Sequence, residues 1–115
     1  MTADDYLAEM GLSVEGWDRA VAQRDGVDVA VVVTKGTEIH FISLDEKRAM
    51  TRKNTLAFLK PIFDKFGFVT TRVPIDVADH RLRHILGFTQ TWQDDRFTYW
   101  SMTELPFQKE RHNGR

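Results

Sequence analysis

Asp76-Val77-Ala78-Asp79-His80-Arg81-Leu82-Arg83-His84-Ile85-Leu86-Gly87-Phe88 is the stretch on which the fold turns. Asp76 has the short acceptor side chain of a helix N-cap, and Asp79 falls in the first turn, where the helix dipole favours an acid. Ala78, Leu82 and Ile85 recur at helical spacing and predict a buried stripe. Gly87 supplies a left-handed stop, and Phe88 opens a new apolar segment. The stretch therefore reads as a capped helix that halts on glycine and passes directly into a strand.

Moving outward toward the C-terminus, Phe88 to Trp92 and Phe97 to Met102 read as strands joined at Gln93-Asp94-Asp95, a hairpin. Leu105, Pro106 and Phe107 are expected to pack back on the body, and residues 108–115 form a polar tail. Toward the N-terminus, Phe68 to Val73 is a strand by composition, ended by Pro74. Thr51 or Asn54 caps a helix reaching about Phe66, with Leu56, Leu59, Ile62, Phe63 and Phe66 as its apolar stripe. Pro61 lies inside that stripe and predicts a kink or a break, and Gly67 is a natural stop. Val27 to Val33 is β-branched and almost continuously apolar, as expected of a strand covered on both faces. Thr34-Lys35-Gly36-Thr37 turns it into a partner strand, Glu38 to Leu44, with Ile39, Phe41 and Ser43 on one side.

The chain opens with two short helical segments. Thr2 and Asp5 have capping-box spacing, and Gly11 can end the first. Ser13 can cap the second, which would run to about Arg24 with Trp17, Ala20 and Val21 on one face, before Asp25-Gly26 turns the chain. The expected order is helix, helix, strand, strand, helix, strand, helix, strand, strand. A strand–helix–strand crossover normally gives a parallel pair. The fold class is therefore α+β: a mixed, mostly antiparallel sheet flanked by helices. Residues 1–107 are read as a single domain.

Composition narrows the function. The chain has 115 residues, 42% hydrophobic and 29% charged, which places it among ordinary globular domains able to bury a core. A net charge of -1 gives no global field for nucleic acid or an anionic membrane. There is no cysteine, which excludes disulfides, thiolate zinc sites and a thiol nucleophile. Acidic Asp4 and Asp5 near the start do not fit a signal peptide. The apolar run Val29 to Val33 is too short to span a bilayer. A protein made in a reducing cytoplasm is expected.

Across residues 38–102 the order of elements is similar to the GNAT N-acetyltransferase fold, and Leu86-Gly87-Phe88 stands where that family ends a capped helix before its last hairpin. More narrowly, the chain resembles GNAT-like proteins of T7-like tailed phages, some of them internal virion proteins. That likeness rests on Ile39-His40-Phe41-Ile42-Ser43, the basic stretch Asp45 to Lys53, the long helix, the Leu86-Gly87 stop, and the hairpin with Asp94-Asp95-Arg96-Phe97 near its tip.

The chain departs from the family where the family does chemistry. A GNAT enzyme holds the acetyl-CoA pyrophosphate on a glycine-rich loop, because only glycine lets the backbone approach the phosphates closely. The corresponding stretch, Asp45 to Asn54, has no glycine. It has Lys47, Arg48, Arg52 and Lys53, which could hold an anion by side chains or simply be a solvated basic turn. The family's general-acid tyrosine stands four residues before the helix-ending glycine. Arg83 stands there, and arginine cannot donate a proton at neutral pH. His84 could replace it only from unusual geometry. The N-terminal elements look abbreviated to residues 1–26.

Other constellations have plainer readings beside the functional ones. His80 and His84, with His40 as a third, could bind a metal, or the two could be exposed histidines on a basic helix. Arg72, Arg81, Arg83 and His84 could grip a carboxylate-rich partner or a nucleic-acid backbone, or form a solvated face. Trp92, Phe97, Tyr99 and Trp100 crowd the last hairpin. One alternating set packs inward, and the other is a candidate interface. Trp17 reads as a packing anchor. No nucleophile elbow, dinucleotide fingerprint or Walker motif is present.

The expectation is a non-catalytic, GNAT-like phage protein that acts in the virion or its assembly through contacts with other protein chains, virion proteins or its own copies. It would need no cofactor, membrane or specific nucleic acid. It would reside in the host cytoplasm during synthesis, with the virion as a further location. The alternative is a divergent acyl-CoA-dependent N-acyltransferase, with acetyl-CoA on Lys47, Arg48, Arg52 and Lys53.

Overall fold

The structure is a computed structural model and describes residues 2–44 and 51–106. Its elements are α1 (Ala3–Glu9), β1 (Asp18–Arg24), β2 (Val27–Lys35), β3 (Glu38–Ser43), α2 (Arg52–Phe66), β4 (Val69–Pro74), α3 (Arg81–Leu86), β5 (Thr89–Gln93) and β6 (Phe97–Met102). The six strands form one sheet in the order β1-β2-β3-β4-β6-β5. Every neighbouring pair is antiparallel except β3 and β4, the two strands joined through α2. This is the mixed α+β sheet that the pattern of apolar segments predicts.

Both hairpins form where expected, and Gly67 and Gly87 take left-handed conformations at the ends of α2 and α3. The Thr2 hydroxyl accepts from the Asp5 amide at 3.1 Å, and the Asp5 carboxylate accepts from the Thr2 amide at 3.3 Å, completing the capping box of α1. Thr51, rather than Asn54, caps α2: its hydroxyl accepts from the Asn54 amide at 3.0 Å. Pro61 sits within an unbroken α2. It lies on the exposed side, as does Ala57 one turn earlier, so the carbonyl that a proline cannot bond faces water.

Residues 18–24 correct the expected second helix: they are an edge strand. Asp25 and Gly26 both have positive φ, 55° and 78°, the backbone of a type I′ turn, and Arg24 pairs with Val27 across it. β2 is apolar on both faces and satisfies its backbone by gaining a neighbour, which outweighs the helical spacing of Trp17, Ala20 and Val21. The helix around residues 76–86 is also shorter than expected. Residues 75 and 76 form a turn in which the Val77 amide donates to the Pro74 carbonyl at 3.0 Å, residues 77–80 are irregular, and α3 begins after His80 without a side-chain cap. Asp76 is therefore not its N-cap. Asp79 precedes the helix, accepting from the Arg81 amide at 3.1 Å. Leu82 and Ile85 are exposed and Leu86 alone in α3 is buried, so the expected stripe of Ala78, Leu82 and Ile85 does not face the core. One and a half turns can present only one side to the sheet.

The sheet is covered on both faces. Successive residues of a strand point oppositely, so Val32 and Ile39 meet Leu59 and Ile62 of α2, while Val33 and Ile42 meet Leu7 of α1 and Trp17. Trp17 is the packing anchor expected, its indole N–H donating to the Ser13 carbonyl at 2.9 Å. At the far side Val69, Val73, Leu86, Phe88, Trp100 and Met102 extend the α2 core.

Candidate functional site

Parallel strands β3 and β4 pair at one position, Glu38 opposite Thr70, where the Thr70 amide donates to the Thr37 carbonyl at 2.7 Å. One residue further, the Thr71 hydroxyl reaches across to the Ile39 carbonyl at 2.7 Å. The strands then part. A cleft of about 580 Å³ opens between them, with Ile39 and Phe41 on one wall and Val73 on the other. α1 contributes Tyr6 and Met10, and α3 contributes Arg83 and Leu86. The volume suits a small organic ligand.

A chain of four polar side chains runs beside this cleft. The Tyr6 hydroxyl is 3.1 Å from His40 Nδ1. His40 Nε2 is 2.7 Å from Glu38 Oε2. Arg72 donates to both Glu38 oxygens, each at 2.8 Å. A carboxylate accepts only, so His40 Nε2 carries the proton, and in the neutral ring Nδ1 accepts from the phenol. Burial would raise the Glu38 carboxyl, but hydrogen bonds from His40 and Arg72 outweigh it and hold the pKa at about 2. Tyr6 is pushed up to about 12, by burial first and the Glu38 charge second. His40 itself is 3% exposed, between the rings of Tyr6 and Trp17. The phenol, the buried imidazole and the carboxylate thus form one continuous hydrogen-bonded chain along the cleft wall.

Arg83 stands differently from Arg72. Its guanidinium donates to two uncharged acceptors, the Asp79 carbonyl and His80 Nδ1, and lies over the Trp100 ring at 5.5 Å. Its Nε is buried without a partner. Burial lowers its pKa, against the neighbouring charge of Asp79, whose carboxylate is itself paired with Arg81. In Arg72 the hydrogen bond to Glu38 raises it.

The residues singled out in the sequence are scattered. Lys47 and Arg48 lie outside the described residues, as do Phe107 and the polar tail. Arg52 and Lys53 are exposed in the first turn of α2, beside its Thr51 cap. In the last hairpin Phe97 and Trp100 are 4% and 2% exposed, so both belong to the core rather than to a free surface. Tyr99 is half-buried, donating to Asp94 Oδ2 at 2.7 Å, and Trp92 is 61% exposed, lying tilted against Tyr99 with centroids 5.1 Å apart. His80 and His84 both lie against the Trp100 ring, and no group of three or more metal-ligating side chains forms among the described residues. Arg72, Arg81 and Arg83 do not form one basic face: Arg72 is held by Glu38, Arg81 by Asp79, and Arg83 lines the cleft.

Sequence reasoning passed over the Tyr6–His40–Glu38–Arg72 chain. Its one legible signal is Glu38-Ile39-His40-Phe41, where alternation puts two titratable side chains on the face opposite two apolar ones. Among the described residues no helix is long and apolar enough to cross a membrane. No family model matches the chain, and no curated protein matches it.

Proposed function

We propose that this chain is a GNAT-like protein that works by binding other protein chains, as a structural or assembly component of a phage virion. The observation that carries the reading is the apolar surface left uncovered between residues 75 and 92. Ile75, Val77, Leu82, Ile85 and Trp92 are 40%, 37%, 45%, 68% and 61% exposed. Large apolar side chains left in solvent are the kind of group that contact surfaces use. Arg83 supports a non-catalytic reading from the other side, because it occupies the place where the resembled enzymes carry a proton donor. The resemblance to internal virion proteins of T7-like phages gives the partner class. The test is a phage carrying the double substitution Ile85→Ser and Trp92→Ser. The variant chain folds as before but is depleted from purified particles at least tenfold. Undiminished incorporation, or absence of the native chain from particles, overturns the reading.

Arg52 and Lys53 on the first turn of α2 favour a second reading, acyl-CoA-dependent transfer, since the helix dipole and two cations attract a phosphate. Titration with acetyl-CoA separates the two. Micromolar binding lost in the double variant Arg52→Ala and Lys53→Ala supports transfer, and no heat at millimolar ligand removes it.

A further inference from the structure

We propose that the cleft between β3 and β4 is a binding site for a small carboxylic acid with an apolar body, its carboxylate held by Arg83. The cleft is large enough for a ligand of this kind, and most of its wall is hydrocarbon, from Ile39, Phe41, Val73, Leu86 and Phe88. Such walls recognise an apolar body and nothing more. Specificity comes from the charged groups that face the space.

Two arginines line the cleft, and the fold has settled only one of them. Arg72 is neutralised by both Glu38 oxygens. Arg83 has no carboxylate within ion-pair distance among the described residues; its contacts are a carbonyl and an imidazole. Its Nε is the one buried side-chain nitrogen or oxygen among the described residues without a hydrogen-bond partner. An incompletely satisfied, half-buried cation costs the folded chain free energy, and native folds keep few such groups. An incoming carboxylate supplies the missing charge. The carboxylate pairs with the guanidinium charge from the cleft side, where Arg83 lines the wall, while the buried Nε is shut off from the cleft. A phosphate dianion would lose more hydration against walls of Leu86 and Phe88.

The remaining charges fit the same occupant. Glu9 and Asp76 are both exposed lining residues and repel an anionic head, which leaves Arg83 as the place where that head is held. Across the cleft Tyr6 is close enough to Arg83 for each to bias the other's ionisation. Its hydroxyl is held by His40 and offers an oxygen rather than a second cation.

The experiment is calorimetric titration of the whole chain with octanoate, octanol and octylamine, which share a body and differ at the head. Octanoate binds at least about tenfold more tightly than octanol, the effect of roughly one charge-assisted hydrogen bond. Octylamine binds more weakly than either. Arg83→Gln brings octanoate down to octanol and leaves octanol unchanged. Val77→Trp, at the exposed mouth, weakens both. Equal binding of octanoate and octanol, a preference that survives Arg83→Gln, or no octanoate binding up to its solubility limit each overturns the proposal. If Arg83→Gln fails to fold by circular dichroism, methyl NMR of the native chain decides. Octanoate shifts Val73, Leu82 and Leu86 if the proposal holds, and shifts confined to other methyls overturn it.

Discussion

Glu38 shows how one side chain ties the wall of the cleft to stability. Its pKa lies well below the ordinary value of 4.5, at about 2. A lowered carboxyl stabilises the fold fully above the unfolded value, and that stabilisation is lost as pH falls through the folded value. Acid titration of stability therefore shows a decline between about pH 4.5 and 2, worth roughly 3 kcal/mol at most. Glu38→Gln removes this limb. It costs about 2–3 kcal/mol at neutral pH in urea unfolding, because Arg72 and His40 lose their charged partner. Tyr6 works in the other direction: a raised phenol keeps its proton, so its contribution is present below pH 10 and lost as pH rises toward about 12. Tyr99 is also raised, by burial and by its hydrogen bond to Asp94. Spectrophotometric titration of the folded chain should thus find neither of its 2 tyrosines ionising at the ordinary pH of 10. A normal wave from both phenols there would contradict the geometry around His40 and Asp94. At this scale the alternation of Glu38 and His40 was readable, whereas their meeting with Tyr6, from an element 34 residues away, was not.

Elements were legible in proportion to how local their causes are. α2 is set by its own residues: a threonine cap, a stripe of Leu59 and Ile62, and a glycine at φ 84°. Thr51→Ala should cost about 1 kcal/mol in thermal or urea unfolding, from the loss of one cap bond. Thr51→Ser should retain most of it. Two segments went against their local pattern. β1 has helical spacing yet extends, because the Asp25-Gly26 turn folds it back onto β2. The Asp-Gly pair is a strong hairpin signal, and taking it with the apolar run after it would have called for a strand before it. α3 is cut short because the turn at residues 75–76 and the irregular stretch 77–80 use the residues that would have formed its first turns.

At the scale of the whole molecule, two faces of one sheet are covered by different helices, and the interior is continuous from α2 to Trp100 and Met102. Leu59 is fully buried at the centre of that body. Leu59→Ala should destabilise by about 3 kcal/mol in denaturant unfolding, the cost of a buried cavity. Trp92→Ser should change stability by no more than about 0.5 kcal/mol, since most of the ring faces solvent. A large loss of stability from Trp92→Ser would mean that the ring serves the fold and not a contact.

The α+β class, both hairpins, the α2 helix and the parallel crossover are legible in the order of residues alone, because each follows from local periodicity, caps, turns and the handedness of a strand–helix–strand unit. Only the tertiary structure decided that residues 18–24 would extend, that Phe97 and Trp100 would go to the core while Trp92 stayed out, and that Arg83 would face Tyr6 across a cleft. Those outcomes depend on which segments compete for the same sheet edge and the same buried volume. That competition is settled between residues far apart in the chain, where periodicity carries no information.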